Sequence, residues 1–257
     1  MQYAKAFTDC LQFMWGKGFL SPGGPEEVAD MVRAHSLVGK RVLDIGSGLG
    51  GVDALLVSEH GAGLVIGIDV EPQLVEAARN LVAEKGLTAS ITFQLVEPGP
   101  LPFPDACFDV VFSKDAMVHI DDKPSLYREV LRVLKPGGRF IAADWLWAEG
   151  AETSPVVVAW LSKGPLRFAY TTPQEARAAL ERAGFEDVAV EDRRHLLQTS
   201  NRAEIETLAG PARERLAALV GEEMALARLA AARGRQGALD SGDLIPSHMG
   251  GRKPAAH

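Results

Sequence analysis

Two hydrophobic periods alternate along the first part of the chain. Short continuous apolar runs predict buried strands at 41–45, 63–68, 90–96, 108–112 and 139–145. Between these runs, apolar residues recur every three or four positions, which predicts amphipathic helices. Strands that are apolar throughout and alternate with helices favour a parallel sheet covered on both faces. The predicted fold class is therefore α/β, with a doubly wound, mostly parallel, Rossmann-like sheet.

The flanking regions show the helical period without the strand alternation. Apolar spacing in residues 2–15 and again from Pro25 to about His35 predicts an N-terminal pair of helices. We expect an N-terminal helical lid and a main domain that carries a small helical cap after strand five. The predicted division is a lid at 1–39 and a domain at 40–257, with cap insertions at about 146–172 and 193–242.

The C-terminal region is dominated by one long helical pattern. Residues 201–235 are rich in alanine and leucine, with interspersed glutamate and arginine. We interpret them as helix in two pieces, broken near Gly210 and Pro211, with the charged residues on a solvated face. A last strand is predicted at 243–252.

Composition and charge narrow the class of partner. The net charge of −7 over 257 residues argues against a nucleic-acid partner. Cys10 and Cys107 stand far apart, and no cluster has metal-ligand spacing, so we expect neither a disulfide framework nor a metal. The N-terminus lacks the apolar core of a signal peptide, and no apolar run approaches the roughly 20 residues that span a bilayer. We expect a cytoplasmic protein with no membrane partner.

A glycine cluster at 46–51 follows the first strand and is preceded by Asp44. Such a turn lets backbone approach a ligand closely, and the following helix start adds free N–H groups. The cluster also satisfies G-x-G-x-x-G, so taken alone it allows an NAD-linked enzyme. However, Asp69 ends the second strand, where it can accept both ribose hydroxyls, and Glu97 ends the third, where it can accept an adenine amino group. These residues predict a nucleotide-type pocket at the strand ends.

Together with the motifs at 101–113 and 134–140, this set resembles the class I S-adenosylmethionine (SAM)-dependent methyltransferases over roughly residues 40–145. The resemblance implies SAM as cofactor and S-adenosylhomocysteine as product. It places the methionine part of SAM beside the glycine turn. The cofactor-binding residues that it implies are Leu20, Ser21, Asp44, Gly46, Gly48, Asp69, Val70, Glu97, Pro98, Ser113 and Lys114.

The flanks resemble one family more closely. Residues 13–24 are similar to the segment that lies over SAM in phosphoethanolamine N-methyltransferases, and residues 113–120 to that family's catalytic segment. In that family a tyrosine of the N-terminal helix and a histidine form a catalytic pair. The matching residues here are Tyr3 and His119, with Asp115 as a third catalytic residue.

The acceptor region departs from the family pattern. Leu166 stands where the family has an arginine for the substrate phosphate, although Arg167 is adjacent, and Trp145 replaces a tyrosine. A phosphate dianion is best held by an arginine fork, which leucine cannot supply. We therefore expect a phosphate-free acceptor, with the tryptophan offering its face to an onium group. The predicted substrate-binding residues are Gln2, Asp144, Trp145, Arg167 and Tyr170.

The expected function is methyl transfer from SAM to a small-molecule acceptor, most simply an amine nitrogen, with the Tyr3/His119 pair aiding deprotonation. A thioether or a carboxylate as methyl acceptor is the alternative within the class. A module that binds SAM without catalysis is the alternative of another class, although His119 beside Asp115 argues against it. A monomer or a homodimer is expected.

Overall fold

A mixed seven-stranded sheet forms the centre of the protein. We describe it from a computed structural model, which describes residues 3–162 and 166–255. The strands are β1 (Arg41–Ile45), β2 (Leu64–Asp69), β3 (Ile91–Leu95), β4 (Phe108–Lys114), β5 (Leu134–Trp147), β6 (Glu186–Asp192) and β7 (Leu244–Arg252). The helices of the described residues are α1 (Lys5–Trp15), α2 (Gly24–Val32), α3 (Gly51–Ser58), α4 (Pro72–Glu84), α5 (Lys123–Val133), α6 (Pro155–Leu161), α7 (Pro173–Ala183), α8 (Arg194–Ala209), α9 (Ala212–Val220) and α10 (Glu222–Ser241).

The strand order is β3-β2-β1-β4-β5-β7-β6. The first five strands pair in parallel, whereas β7 runs antiparallel between β5 and β6. The predicted doubly wound, mostly parallel sheet is confirmed. Because parallel strands end at the same edge, Asp69 and Lys114 at the ends of β2 and β4 lie on one rim beside Ile45 at the end of β1.

Alternate residues of the strands fill two cores, one on each face of the sheet. Val42 and Val110 pack on the side of α2, α3 and α4, while their neighbours Leu43 and Val111 pack on the side of α5 and α7. This follows from the two-residue side-chain period of a strand. Burial on both faces explains why the strands are continuous apolar runs.

The C-terminal helices build a cap beyond the sheet. The prediction of two helix pieces is wrong, because α8, α9 and α10 are three separate helices. The break near Gly210 is present, and a second one lies at Gly221, whose φ of +92° favours glycine. α9 and α10 pack against α1, and α6 packs against α10. None of the described helices is long and apolar enough to cross a membrane.

The segment between α1 and α2 crosses the start of α3 in backbone-to-backbone contact. The Gly51 N–H donates to the Gly18 carbonyl at 3.1 Å, and a Cβ at Gly51 would lie 2.5 Å from that oxygen. Gly18 itself has a φ of +93°. The approach is possible because neither residue carries a side chain. The N-terminal segment is thereby fastened to the glycine turn.

We expect Gly51→Ala to release this segment without unfolding the sheet domain. The added methyl group collides with the Gly18 carbonyl, whereas α3 itself tolerates alanine better than glycine. Lys17 precedes Gly18, so trypsin should cleave after Lys17 faster in this variant, as measured by mass spectrometry of timed digests.

Gly210→Ala is the matched control, because the nearest atoms to a Cβ there lie at 3.6 Å. Its digestion should match that of the wild type. Unchanged cleavage after Lys17 in Gly51→Ala would contradict the packing of the N-terminal segment against the start of α3.

Candidate active site

The glycine turn after β1 has a backbone that side chains disfavour. Gly46 and Gly48 have φ angles of +79° and +55°. A Cβ on Gly46 would collide with Ala116, which lies in the segment that follows β4. A Cβ on Gly48 would come within 3.1 Å of Leu20 from the N-terminal segment. The turn is thus packed between the N-terminal segment and the segment that carries Asp115 and His119.

Asp69 shapes the same turn from the end of β2. Its Oδ2 accepts the Gly48 N–H at 2.9 Å, and its Oδ1 accepts the Glu71 N–H at 3.0 Å. Burial raises the pKa of Asp69, against the effect of these backbone donors. Each carboxylate oxygen keeps a further lone pair, so the predicted role on the ribose is compatible with these bonds.

Asp44 forms a buried acidic pair with Asp53, a residue that the sequence analysis missed. The two are 2 % and 0 % exposed. The two carboxyl groups interact through a side-chain hydrogen bond, and neither has an ion-pair partner among the described residues. Burial raises the pKa of Asp44 to about 7, and burial together with Asp44 raises that of Asp53. In the sequence, Asp53 is recognisable as an acidic residue in the first turn of the helix that follows the glycines.

These residues fit SAM, which carries a sulfonium and an ammonium group. Buried carboxyl groups without a cationic partner favour a cationic ligand, because its charge stabilises their ionised form. Asp44, Asp69 and the glycine turn would hold the cofactor. Val70, Glu97 and Pro98 lie exposed at the rim.

Ser113 and Lys114 use their side chains within the protein. The Ser113 hydroxyl donates to the Ile45 carbonyl at 2.8 Å and ties β4 to β1. The Lys114 ammonium lies 2.6 to 2.9 Å from oxygens of Asp115, Glu27, Ser21 and Pro22. Although burial opposes its charge, the carboxylates raise the pKa of Lys114. Their contact with the cofactor stays a prediction.

A cavity of about 560 Å³ lies between the N-terminal segment, the segment that follows β4, and the cap. Residues that are far apart in the chain share it. The predicted site residues that line it are Tyr3, Leu20, Ser21, Asp115, His119 and Trp145. Among the hydrogen bonds of the described residues none joins Tyr3 to His119, so their action as a pair stays a prediction.

The ring nitrogen of His119 that carries the proton follows from its hydrogen-bond partner. Its Nδ1 lies 2.6 Å from the Arg167 carbonyl. A carbonyl only accepts, so Nδ1 carries the proton and Nε2 is the basic nitrogen of the neutral ring. Burial lowers the pKa of His119, which favours that neutral form. Phe168 packs against the ring at 5.2 Å between centroids.

Asp115 has a left-handed backbone with a φ of +55°, uncommon for a residue other than glycine. Its N–H donates to the Ala143 carbonyl at 2.8 Å, and its carboxylate pairs with Lys114. Burial raises the pKa of Asp115. The strained backbone is thus held between β5 and the N-terminal segment.

Three other predicted substrate-binding residues, Asp144, Arg167 and Tyr170, do not line the cavity. Asp144 is 1 % exposed and accepts the Trp145 N–H at 2.9 Å, and burial raises its pKa to about 7. Arg167 contributes its carbonyl to His119 while its own side chain is exposed, and Tyr170 packs on Trp147 at 4.7 Å. Gln2 lies outside the described residues. Their contact with substrate stays a prediction.

The cap adds charged groups that the sequence analysis placed in solvent. That interpretation is wrong for Glu204, Arg228 and Arg235, which are 7 %, 7 % and 2 % exposed. Both arginines line the cavity. They stand seven residues apart, hence on one face of α10, but the sequence does not say which face is covered. Packing of α10 against α1 and α8 buries that face.

The chain is similar to known methyltransferases. A family model described as "Methyltransferase domain" matches residues 36–191. The phosphoethanolamine N-methyltransferase of Triticum aestivum is 31 % identical over 194 residues, which are 75 % of this chain and 37 % of that protein. The chain thus spans little more than a third of the length of this curated relative.

Two other known proteins match this chain over a larger share of their own length. The 27-O-demethylrifamycin SV methyltransferase of Amycolatopsis mediterranei is 30 % identical over 202 residues, 73 % of each protein. The structure of phosphoethanolamine N-methyltransferase 2 of Haemonchus contortus, in complex with phosphomonomethylethanolamine and S-adenosylhomocysteine, superposes with a TM-score of 0.91. The superposition covers 99 % of this chain and 58 % of the nematode protein. At 23 % sequence identity, it shows that the two chains share a fold.

The expected cofactor and the expected class of enzyme are thereby confirmed. The family model spans more than half of the chain, and the fold, the glycine turn and the acidic pocket agree with it. The chain therefore belongs to the methyltransferase domain family and is a class I methyltransferase that uses SAM.

Proposed function

We propose that the enzyme methylates the nitrogen of a small-molecule amine, with His119 as the base. The observation that carries this proposal is the contact of His119 Nδ1 with the Arg167 carbonyl, at 2.6 Å, in a residue that lines the acceptor cavity. It leaves Nε2 as the only basic position of the ring. A base at this place suits an acceptor that must lose a proton.

An amine needs its lone pair for the reaction. Bound SAM supplies a methyl group that is already activated on a sulfonium, so alignment and exclusion of water are the main tasks of the protein. An amine with a pKa near 10 costs roughly 4 kcal/mol to deprotonate at pH 7, at about 1.36 kcal/mol per pH unit. Burial lowers the pKa of His119, so the ring is neutral but is also a weaker base. Partial desolvation of the ammonium group in the cavity therefore has to share the cost of deprotonation.

Tyr3 and Asp115 complete the reaction end of the cavity. Burial and the nearby Asp69 carboxylate raise the pKa of Tyr3, so its phenol stays protonated and orients the acceptor by hydrogen bonding. The Asp115 carboxylate, which pairs with Lys114, favours a cationic acceptor. Tyr3 and Asp115 therefore bind the acceptor in its ammonium form, and His119 then removes the proton.

The acceptor side supports a substrate without phosphate. Leu166 lines the cavity at the position where the related family has an arginine. An apolar side chain there neither neutralises nor hydrogen-bonds a dianion. The wheat and nematode relatives are named for phosphoethanolamine, so we propose a different acceptor for this chain.

Methylation of an oxygen is the second candidate. The rifamycin relative, which is named for an O-methyl transfer, matches over 73 % of both chains, whereas the wheat N-methyltransferase matches over 37 % of its own length. A base such as His119 also serves a hydroxyl acceptor. A thioether acceptor needs no base and would leave His119 only a positioning role.

We expect His119→Ala and Tyr3→Phe to lower the rate of S-adenosylhomocysteine release by at least about 10²-fold with an amine acceptor. Each variant removes a group at the reaction end and keeps the Asp44, Asp53 and Asp69 carboxyl groups. The rate is measured on a panel of primary and secondary amines, and SAM affinity by calorimetry should stay unchanged.

His195→Ala is the matched control, because His195 is exposed on α8 away from the cavity. It should turn over like the wild type. Wild-type rates in both His119→Ala and Tyr3→Phe would refute the assigned roles.

The pH profile should separate the acceptor classes. With an amine that binds as its ammonium form and passes its proton to His119, kcat/KM should stay level between about pH 9 and 7, because the amine is mostly protonated and His119 is neutral over that range. Since burial lowers the pKa of His119, protonation of this base should lower kcat/KM by about tenfold per pH unit only below its ordinary value of about 6.5. A profile that also stays flat well below that value would instead indicate a thioether acceptor, which needs no base.

A further inference from the structure

The acceptor cavity is larger and more apolar than a two-carbon amine requires. Its volume of about 560 Å³ lies in the range of sites for drug-sized ligands, roughly 300 to 1,000 Å³. It runs from His119 and Asp115 to the face of α10 that carries Ala227, Ala231 and Gly234. The alanine side chains leave room between α10 and the sheet domain, whereas the space beside Gly234 is occupied by Trp160. The cavity therefore accommodates an acceptor with a sizeable body.

An aromatic wall joins the two ends of this cavity. Trp145 and Phe168 stack with centroids 5.8 Å apart and planes inclined by 8°. Phe168 reaches His119 at 5.2 Å, and Trp160 packs on Trp145 at 5.9 Å. Such a surface favours the flat, apolar body of a ligand.

The far end of the cavity holds an unusual cluster of buried charge. The Glu204 carboxylate accepts from Arg228 through Oε1, and from Arg235 through Oε2 at 2.6 Å. The Trp15 indole N–H also donates to Oε2, at 3.2 Å. Arg235 further donates to the Asn201 side chain and lies over the rings of Trp15 and Trp145. Two guanidinium groups thus share one carboxylate in a site closed by aromatic rings.

The cluster keeps an excess of positive charge and a free donor. Arg228 is 7 % exposed, lines the cavity, and its buried Nε–H has no acceptor among the described residues. Burial lowers the pKa of Arg235 to about 10 in spite of Glu204, and the group stays charged at neutral pH. A buried cation without a full counter-charge is costly. An anion that enters the cavity would remove that cost.

We propose that the acceptor is an amphipathic acid, whose carboxylate pairs with Arg228 and Arg235 and whose apolar or aromatic body lies along Trp145 and Phe168. The guanidinium fork suits a planar carboxylate. The opposite end carries the Asp115 carboxylate, so the cavity is polarised to receive an amine there. The placement of the amine to be methylated rests on the proposed function, whereas the carboxylate site does not.

Binding of simple acids tests the carboxylate site without methyl transfer. The compounds are 4-phenylbutyrate, the matched alcohol 4-phenylbutan-1-ol, and phosphoethanolamine, each titrated by calorimetry into protein saturated with S-adenosylhomocysteine. We expect the acid to bind at least about tenfold more tightly than the alcohol. Arg228→Gln should reduce the affinity for the acid to that for the alcohol, and Arg228→Lys should restore part of it.

Arg202→Gln is the matched control. It breaks an ion pair of the same cap, with Asp240 at 3.1 Å, but on the surface. Its affinity for the acid should equal that of the wild type. Where circular dichroism shows that Arg228→Gln does not fold, Glu204→Gln gives the opposite test, because it removes the internal carboxylate and should tighten binding of the acid.

Three results would overturn the proposal. They are equal binding of acid and alcohol, unchanged binding of the acid in folded Arg228→Gln or in Glu204→Gln, and binding of phosphoethanolamine as tight as that of the acid. The last result would assign the cationic cluster to a phosphate. Because no turnover is measured, loss of the role of His119 would leave these binding results unaffected.

Discussion

A buried ammonium group connects the parts of the protein on which the active site depends. Lys114 ends β4, and its Nζ lies among oxygens of Asp115, of Glu27 on α2, and of Ser21 and Pro22 in the N-terminal segment. Breaking a buried pair of this kind leaves charge without a partner, which costs several kcal/mol, about 3–5 in comparable cases. The N-terminal segment is therefore held over the strand ends, and the Gly18–Gly51 backbone contact fastens it to the glycine turn.

The two halves of the site carry opposite electrostatic problems. Around the glycine turn, Asp44 and Asp53 are buried together and their pKa values are raised, so this pocket gains from a cationic cofactor. In the cap, Arg228 and Arg235 share Glu204, so that pocket gains from an anion. His119 lines the same cavity as the two arginines. At the glycine turn, a cationic ligand would let carboxyl groups with raised pKa values ionise, and in the cap an anion would compensate the excess positive charge.

The sequence predicted the sheet well because each of its strands carries a local signal. β1 is an apolar run that a glycine turn ends, and its predicted bounds of 41–45 match Arg41–Ile45. β5 began earlier than predicted, at Leu134, because its first residues, which include Pro136 and Gly137, carry turn signals. In the cap, by contrast, periodicity located helix but misplaced the charges of Glu204 and Arg235, which are buried rather than solvated. Helical spacing defines a face and not its neighbour.

The sequence by itself determined the fold class and the position of the predicted cofactor residues, because parallel strands bring Asp44, Asp69 and the glycine turn to one edge whatever surrounds them. The tertiary structure alone decided the acceptor cavity. Tyr3, His119 and Arg235 are separated by more than a hundred residues from one another, and only the tertiary packing, including that of α1 against the cap, brings them to one cavity. Local patterns are set by bonded neighbours, whereas this cavity is set by which apolar faces meet, and that choice depends on the whole chain.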